Sequence, residues 1–512
     1  MGAFFLRNRA SPISLKLLDY RRNFEKFSFE SPAFAARGLG CRVLRRRVIF
    51  NIALMKDSKM DRRSFIKRTT FAAAAAAPFF VAKDLFANGS PNEKVNVGII
   101  GIGKQVGGHF GSYLGIDECR ITAVCDVDTA RTDYAKQRIE SDYKNRGHSV
   151  EVKAFRDFRQ MLADPSVDAV SIVTPDHWHA IMSILAARAG KHVYCEKPLT
   201  FTIQEGEQIV KAVKAAGVVF QTGSQQRSET SFRNAVQLAR TGMLGDIKAV
   251  FCDVPWRFPV FYNWPAEELP STMDWEMWVG PAPMRPYTRH LLHPLLAPNA
   301  KGGIFGYAWG EWRWHYDYGN GMQGDWGAHH FDIAQWGLNM DGKGPKYIRP
   351  YTAQNPGNVH DKRSLFYEYE NGIRVFYGSP SEHLKKLGAS NLSPMVTFIG
   401  SEGTACASRG GFFWASSPSL MNVKLPAGAE AAYTNGFGGH QRNFIEGILT
   451  GRPTLCPVET GVSSSNMCIM GTIAHRLGRT LEWDWKKSTF VNDPEAVALM
   501  WRENRGEWSK VF

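Results

Sequence analysis

Residues 95–108, VNVGIIGIGKQVGG, predict a buried strand, a glycine-rich loop and the start of a helix, and they are the strongest indication of the fold class. The first six residues have the composition of a buried strand, and the glycines after them lead into a short helix. In such a loop the first glycine permits a tight turn, and the second lets the backbone approach a pyrophosphate at the helix N-terminus. Val106 replaces the third glycine of the usual fingerprint. The order of strand, glycine loop and helix predicts dinucleotide binding, with contacts from Gly101, Ile102 and Gly103.

An acidic residue follows the second predicted strand, Ile121–Cys125. Asp126 lies about 25 residues beyond Gly101, near the offset of a carboxylate that binds the adenosine ribose in dinucleotide-binding folds. A carboxylate at this place repels the 2′-phosphate of NADP. We therefore predict NAD as the cofactor, with NADP disfavoured.

Strand and helix patterns alternate from Val95 to Thr222. This alternation predicts an α/β fold with a Rossmann-type, doubly wound parallel sheet, and we place this dinucleotide-binding domain at residues 93–226. The predicted helices cover residues 129–146, 158–162, 177–189 and 203–216. The predicted later strands cover residues 169–173, 192–194 and 218–222.

A second motif, Tyr194-Cys195-Glu196-Lys197-Pro198, follows one of these strands and ends at a proline, which cannot continue a sheet ladder. Open α/β sheets bind ligands at the carboxyl ends of their strands. A desolvated lysine there can exchange a proton with a sugar hydroxyl near neutral pH. Alone, a Glu-Lys pair before a proline is more often a surface ion pair, and only the accompanying motifs favour a catalytic interpretation.

A third motif lies in the second half of the chain, between Gly321 and Asp332. Asp325 and His329 are four residues apart, so a helix would present both on one face, with His330 pointing elsewhere. Two alternatives remain open here. One is a plain helix with a hydrogen-bonded core histidine, and the other is a metal site. We predict no metal, because no further ligand cluster accompanies the pair.

Nine of the fifteen tryptophans fall between Trp256 and Trp336. Flat apolar rings with polar edges suit the faces of sugars, although we expect about six of the nine in the core. The pairs predicted to reach a sugar-binding cleft are Trp256 with Arg257 and Trp312 with Arg313.

Together these motifs resemble the Gfo/Idh/MocA oxidoreductase family, from about Val95 to the C-terminus. The resemblance is carried by the glycine loop, by residues 174–179 (TPDHWH), by residues 196–198 (EKP) and by residues 321–332. It implies a second domain of α+β type, here residues 227–512, built on a large, mostly antiparallel sheet that often mediates oligomerisation. We therefore expect a homo-oligomer, and C-terminal helices that pack back against the first domain.

The family resemblance also implies roles for single residues. His329 would move the hydroxyl proton, Lys197 would polarise or share it, and Asp325 would orient the substrate or that histidine. The residues assigned to the cofactor side of the cleft are Thr174, Pro175, Asp176, His179, Glu196, Lys197 and Gln225. The residues assigned to the substrate are Arg227, Trp256, Arg257, Trp312, Arg313 and His330.

Net charge argues against nucleic-acid binding. The chain carries +14, but residues 1–59 hold 13 basic and 4 acidic side chains and residues 60–88 hold 5 and 2, so only +2 belongs to the remainder. A nearly neutral body lacks the basic surface that nucleic acid requires. The eight cysteines form no C-x-x-C pair and predict neither a disulfide framework nor a zinc site.

Residues 60–88 resemble a twin-arginine export signal. Arg62 and Arg63 precede an apolar run, Phe71–Val81, and a small-residue exit near Ala87. Eleven apolar residues are too few to span a bilayer, so we expect no stable membrane span. A basic amphipathic helix is the alternative. The signal predicts export through the twin-arginine machinery after folding, to the periplasm or another exported location.

An export signal should begin a chain, whereas this one begins at residue 60. We therefore expect Met60 (or Met55) to be the true start, and residues 1–59 to be a disordered extension of the gene model.

The predicted chemistry is hydride transfer between tightly bound NAD and a hydroxyl-bearing carbon of a sugar, polyol or glycoside. Free nicotinamide cofactor is scarce outside the cytoplasm, so an exported enzyme must regenerate what it carries. It could do so by oxidising one sugar and reducing another. An NAD-dependent glycosidase, which oxidises, eliminates, adds water and returns the hydride, is the alternative. A non-catalytic sugar-binding protein of the same fold is a second alternative.

Overall fold

The computed structural model describes residues 94–255, 257–292, 309–350, 365–389, 392–422 and 436–512. The predicted extension (residues 1–59), the predicted export signal (residues 60–88) and Trp256 lie outside the described residues.

The first domain is built on a parallel sheet of six strands. In chain order these are β1 (Val95–Ile100), β2 (Cys119–Cys125), β3 (Lys153–Phe155), β4 (Ala169–Ile172), β5 (His192–Cys195) and β6 (Phe220–Thr222). Their order across the sheet is β3-β2-β1-β4-β5-β6, and every neighbouring pair is parallel. This is the Rossmann order, and it confirms the predicted fold class.

Five α-helices connect these strands. They are α1 (Val106–Leu114), α2 (Thr129–Asn145), α3 (Phe158–Ala163), α4 (Asp176–Arg188) and α5 (Ile203–Ala216). Local chemistry sets their ends: the Asp128 carboxylate accepts from the Ala130 amide at the start of α2. Thr202 and Glu205 form a capping box on α5, which ends at Gly217 in the left-handed conformation. The helix bounds therefore lie within a residue or two of those predicted.

The second domain is built on a sheet of nine strands. They are β7 (Ile247–Cys252), β8 (Tyr347–Pro350), β9 (Leu365–Glu368), β10 (Arg374–Tyr377), β11 (Val396–Gly400), β12 (Thr404–Ala407), β13 (Phe413–Ala415), β14 (Leu481–Asp484) and β15 (Thr489–Phe490). The order across the sheet is β13-β12-β11-β7-β10-β9-β8-β14-β15. Only β7 and β10 pair in parallel, so the predicted large, mostly antiparallel sheet is confirmed.

Eight α-helices are described in the second domain, and several of them pack on this sheet. They are α6 (Thr230–Arg240), α7 (Trp275–Val279), α8 (Ala328–Gly337), α9 (Ser381–Lys386), α10 (Pro418–Met421), α11 (Gly436–Thr450), α12 (Val458–Leu477) and α13 (Pro494–Ala498). Helix α11 packs on α1, and its Phe444 and Ile448 share a core cluster with Ile99 of β1. Helix α12 packs against α5 and α8. None of the described helices is long and apolar enough to cross a membrane.

A buried ion cluster lies at the start of the second domain. Arg227, only 3% exposed, donates from Nε to Asp332 Oδ2 at 2.7 Å and from Nη2 to Asp341 Oδ1 at 2.8 Å. Ser464 of α12 donates to the other oxygen of Asp332 at 2.8 Å. Because these charged groups are largely removed from water, the stability of each charge depends on its bonded partners.

An Arg227→Met variant should lower the free energy of unfolding by about 3–5 kcal/mol, because it leaves the Asp332 carboxylate buried without its cation. Equilibrium unfolding in urea measures the change. The matched control is Arg442→Met, since Arg442 forms a half-exposed pair with Glu118 at 3.3 Å. That variant should cost less than about 1 kcal/mol. Equal effects of the two variants would contradict a structural role for the buried cluster.

Candidate active site

A cavity of about 420 Å³ lies at the carboxyl ends of the strands of the first sheet. Its first-domain wall comes from the segments after β1, β2, β4 and β5. Its second-domain wall includes a 3₁₀-helix (Glu311–Trp314), a π-helix (Gln323–Gly327) and the turn between β12 and β13. The cavity therefore sits where open α/β sheets bind their ligands, with the second domain closing over it.

The glycine loop forms one end of the cavity. Gly101 has a φ of +94°, and a Cβ there would lie 2.8 Å from the backbone of Val173. The Ile102 amide donates to Asp126 Oδ2 at 2.7 Å, so the carboxylate is tied to the loop. Burial raises the pKa of Asp126 above its ordinary value. A cradle that only glycine permits, a helix N-terminus and an acid beside them fit a dinucleotide.

Glu196 is a fixed charge on the first-domain wall. Its Oε1 accepts from Gln225 Nε2 at 2.6 Å and pairs with His109 Nε2 at 2.9 Å. Burial acts to raise the pKa of Glu196, but the hydrogen bond and charge of His109 and the charge of Lys197 outweigh it, and the pKa lies below its usual range. Glu196 and Gln225 both line the cavity, on the side where the sequence assigned them.

Lys197 and Asp325 bridge the two walls. The ammonium donates to Asp325 Oδ1 at 2.7 Å and to the Asp325 carbonyl at 2.9 Å, and the Lys197–Pro198 peptide bond is cis. Arg313 Nε lies 3.7 Å from the other carboxylate oxygen. Although burial acts to raise it, these two cations hold the pKa of Asp325 below its usual range. The aspartate is therefore ionised, and it fixes the lysine beside the cavity.

His329 lines the same cavity, but the helix around it differs from the one predicted. A single α-helix was expected over Asp325 and His329, whereas residues 323–327 are π-helical and α8 begins at Ala328. Such π-turns are frequent at functional sites. Burial, Arg409 and Lys197 place the pKa of His329 well below its ordinary value. Its imidazole is therefore neutral, and one ring nitrogen carries a lone pair that can accept a hydrogen bond.

Asp176 is the first residue of α4 and is 5% exposed at the cavity wall. Burial raises its pKa to about 7, against the opposing charges of Lys197 and Arg313. The Asn320 amide lies 3.4 Å from its Oδ2. A carboxyl group with a pKa of about 7 thus lies within the field of Lys197, a property that the sequence pattern alone does not reveal.

Aromatic side chains form much of the second-domain wall. The predicted Trp312 and Arg313 both line the cavity, and the Arg313 guanidinium lies 4.2 Å from the Trp312 ring centroid. The cavity-lining tryptophans that the sequence did not single out are Trp178, Trp278, Trp309, Trp314 and Trp326. The dense run of three tryptophans in residues 309–314 was the available sign of this wall.

Four assigned residues do not line this cavity. Arg227 belongs to the buried ion cluster, and Arg257, whose side chain is 42% exposed, pairs with Glu311 at 2.7 Å. His330 is buried against Trp326, with ring centroids 5.8 Å apart. His179 Nδ1 bonds to the Pro198 carbonyl at 2.7 Å and Nε2 to the Thr174 carbonyl at 2.9 Å, so it joins two cavity loops from behind. The contacts just described keep these four side chains out of the cavity lining.

The other assigned residues that the structure describes lie together in the cavity wall. They are Gly101, Ile102, Gly103, Asp126, Thr174, Pro175, Asp176, Glu196, Lys197, Gln225, Trp312, Arg313, Asp325 and His329. Sequence reasoning missed Lys104 and Arg409, which also line the cavity. Lys104 stands in the glycine loop itself, whereas no local motif marks Arg409. Among the described residues, no group of three or more His, Cys, Asp or Glu side chains could hold a metal ion.

A Gly101→Ala variant should weaken NAD binding by roughly 5- to 30-fold, since the new Cβ meets the Val173 backbone and the left-handed φ is strained for alanine. Titration of the dinucleotide, followed calorimetrically, measures the change. The matched control is Gly107→Ala, because a Cβ at Gly107 in α1 meets nothing within 4 Å. An unchanged affinity in the first variant would show that this loop does not cradle the cofactor.

An Asp176→Asn variant should gain stability relative to the wild type as the pH rises from about 4 to about 7. The unfolded side chain titrates near pH 4 and the folded one near pH 7. The protonated carboxyl's contribution is therefore complete below pH 4 and lost as the pH approaches 7, by up to about 1.4 kcal/mol per pH unit.

Urea unfolding at several pH values measures this difference. The control is Asp246→Asn, at an aspartate whose side chain is 86% exposed, which should run parallel to the wild type. A parallel curve for Asp176→Asn as well would mean that the folded carboxyl is already ionised at low pH.

Comparison with known proteins assigns both domains. A family model described as an oxidoreductase family, NAD-binding Rossmann fold, matches residues 95–224. Its companion, the C-terminal alpha/beta domain of the oxidoreductase family, matches residues 230–386 and 437–510.

The matches to individual relatives cover less than a third of this chain. Myo-inositol 2-dehydrogenase from Thermotoga maritima is 29% identical over 151 residues, which are 30% of this chain and 42% of that protein. Glycosyl hydrolase family 109 protein 2 from Shewanella sp. (strain ANA-3) is 34% identical over 163 residues, 29% of this chain and 36% of that protein. The matches thus span less than half the length of these relatives.

One solved structure shares the fold over most of the described residues. It is that of the WlbA dehydrogenase from Bordetella pertussis in complex with NADH and UDP-GlcNAcA, with a TM-score of 0.51 at 18% identity. The superposition covers 77% of this chain and 99% of that chain. With both family models matched in order along one polypeptide, the chain belongs to the Gfo/Idh/MocA family of oxidoreductases.

Proposed function

We propose that this protein is an oxidoreductase that transfers a hydride between NAD and a hydroxyl-bearing carbon of a sugar, polyol or glycoside. One observation carries the proposal: Lys197, Asp325 and His329 meet in a single cavity that also contains the glycine loop. Such a cavity offers a proton acceptor and a hydrogen-bond donor beside a cofactor site.

Bound NAD supplies the hydride acceptor, and the protein supplies the proton chemistry. The neutral imidazole of His329 accepts the proton of the reacting hydroxyl. Lys197 donates a hydrogen bond to the same oxygen and stabilises the charge that develops there. Asp325 holds the lysine through the 2.7 Å bond, and the indoles of the second-domain wall exclude water.

NAD rather than NADP is the proposed cofactor. The carboxylate of Asp126 stands at the ribose end of the cavity and would repel a 2′-phosphate. Arg131, the nearest buried cation, is engaged, because its Nη1 donates to the Ile102 carbonyl at 3.2 Å and its Nε lies 3.3 Å from Asp128. These contacts support NAD.

Two further proposals concern the whole protein. We propose export through the twin-arginine route with the cofactor already bound, on the basis of residues 60–88. We also propose a homo-oligomer formed through the nine-stranded sheet.

An NAD-dependent glycosidase is the second candidate function. Its support is the 34% identity to a glycosyl hydrolase family 109 protein over the matched region. In this scheme a ring hydroxyl is oxidised transiently, the glycosidic substituent leaves from the carbon next to the acidified C–H, water adds, and the hydride returns. The same cavity residues would move the protons.

The experiment is turnover by the purified protein, without added cofactor, against a panel of glycosides and free sugars. An oxidoreductase should change the nicotinamide absorbance once and then stop until a second sugar or external NAD arrives. Catalytic cleavage of glycosides, with the cofactor returned to its starting state, would instead establish the glycosidase. Inactivity of NAD-loaded protein toward every sugar would favour a non-catalytic sugar-binding protein.

His329→Ala, Lys197→Ala and Asp325→Ala should each lower turnover by about 10²–10⁴-fold while NAD stays bound, because each removes a proton-transfer or orienting group. Steady-state kinetics and the cofactor content of the purified variants measure both quantities. Arg442→Ala is the control, since Arg442 pairs with Glu118 outside the cavity and its loss should leave both unchanged. Loss of NAD from Lys197→Ala would reassign Lys197 to cofactor binding.

A further inference from the structure

Arg409 is a cavity residue that the proposed chemistry does not use. It comes from the turn between β12 and β13, where Gly410 and Gly411 adopt left-handed φ angles of +74° and +83°. That turn carries its side chain to the end of the cavity that holds Asp325 and His329. Arg409 therefore belongs to the substrate end of the cavity rather than to the glycine loop.

Two contacts orient the Arg409 guanidinium. In the orientation that satisfies both groups, the Gln226 amide donates to the His329 carbonyl and accepts from Arg409 Nε, each at 3.2 Å. The guanidinium also lies over the face of Trp326, 5.0 Å from the ring centroid. Its Nε and one face are thus engaged, and its two terminal amino groups are left for other partners.

No protein carboxylate pairs with Arg409 in the part of the chain that the structure describes. Glu229 is near enough to favour its charge, but this carboxylate accepts a hydrogen bond from the Gly410 amide and lies beyond ion-pair distance. The neighbouring Asp325 is already bonded to Lys197. Desolvation by the surrounding protein lowers the pKa of Arg409 below its ordinary value, although the residue remains exposed to solvent.

The carboxylates near Arg409 are all bonded to other groups. Of those whose charge reaches its guanidinium, Asp325 is bonded to Lys197, Glu196 to Gln225 and His109, and Glu229 to the Gly410 amide. When a sugar fills the site and excludes water, an unpaired guanidinium becomes costly. A ligand carboxylate removes this cost, because its two oxygens match the planar fork of an arginine.

We propose that the substrate is an acidic sugar whose carboxylate pairs with the terminal amino groups of Arg409, while its ring packs along Trp326 and its reacting hydroxyl meets His329. This inference rests on the proposed function and names its substrate class. A single oriented guanidinium matches the single charge and planar shape of a carboxylate. The dianionic, tetrahedral phosphate of a sugar phosphate would need a second cation at this position, whereas Lys197 and Arg313 already face Asp325.

The test compares matched substrates on the holoenzyme. Methyl glucuronide and methyl galacturonide are assayed beside the corresponding methyl glucoside and galactoside and the free hexose 6-phosphates. We expect kcat/KM to favour the uronides over the neutral partners by about tenfold or more. In Arg409→Gln this preference should disappear, in Arg409→Lys part of it should remain, and in Arg442→Gln, a distant surface control, it should stay.

The following outcomes would overturn the inference. Turnover of neutral sugars with no preference for uronides, or a preference that survives in Arg409→Gln, would refute carboxylate binding by Arg409 while leaving the proposed function intact. A preference for the 6-phosphates would refute the carboxylate class.

If no sugar of any class is turned over, the proposed function fails, and binding alone then decides the inference. Titration of NAD-loaded protein with methyl glucuronide, followed by tryptophan fluorescence, should saturate in the wild type and weaken about tenfold or more in Arg409→Gln. Equal binding by the two proteins would refute the inference.

Discussion

The ion pair between Lys197 and Asp325 is the interaction on which the site depends. Lys197 follows a strand of the first sheet, and Asp325 lies 128 residues later in the π-helical turn of the second domain. The pair therefore forms only when the two domains close around the cavity. Two largely buried charges are stable there because each satisfies the other at 2.7 Å, and the carbonyl of Asp325 accepts a second hydrogen bond from the lysine.

Burial acts on Asp176, Glu196, Asp325 and His329 alike, yet these groups end in different charge states. Burial always disfavours the charged form, and only a partner can oppose it. Glu196 and Asp325 have such partners and stay ionised, whereas His329 has cations as neighbours and is neutral. The pKa of Asp176 is about 7, so near neutral pH this carboxyl is only partly ionised. The cavity therefore holds fixed charges next to a neutral imidazole, the arrangement on which the proposed hydride transfer relies.

The motif-bearing part of the site was predictable, and the remainder was not. The glycine loop, Lys197 and the Asp325–His329 spacing each belong to a local pattern, and all of them line one cavity. Arg227 shows the limit of such reasoning. It stands two residues from Gln225, which faces the cavity, but the 3₁₀-helix between them turns its guanidinium toward Asp332 in the interior. Adjacency in sequence does not fix the direction of a side chain.

The alternation of strands and helices, the parallel first sheet, the glycine cradle and the grouping of Lys197, Asp325 and His329 could all be inferred from the amino-acid sequence. These depend on local periodicity and on backbone conformations that single residue types permit. Only the tertiary structure decided that Asp325 sits in a π-helix, that Arg227 is a structural cation, and that Arg409 reaches the cavity. Those outcomes depend on contacts between segments far apart in the chain, because electrostatic and packing energies are set by distance in space.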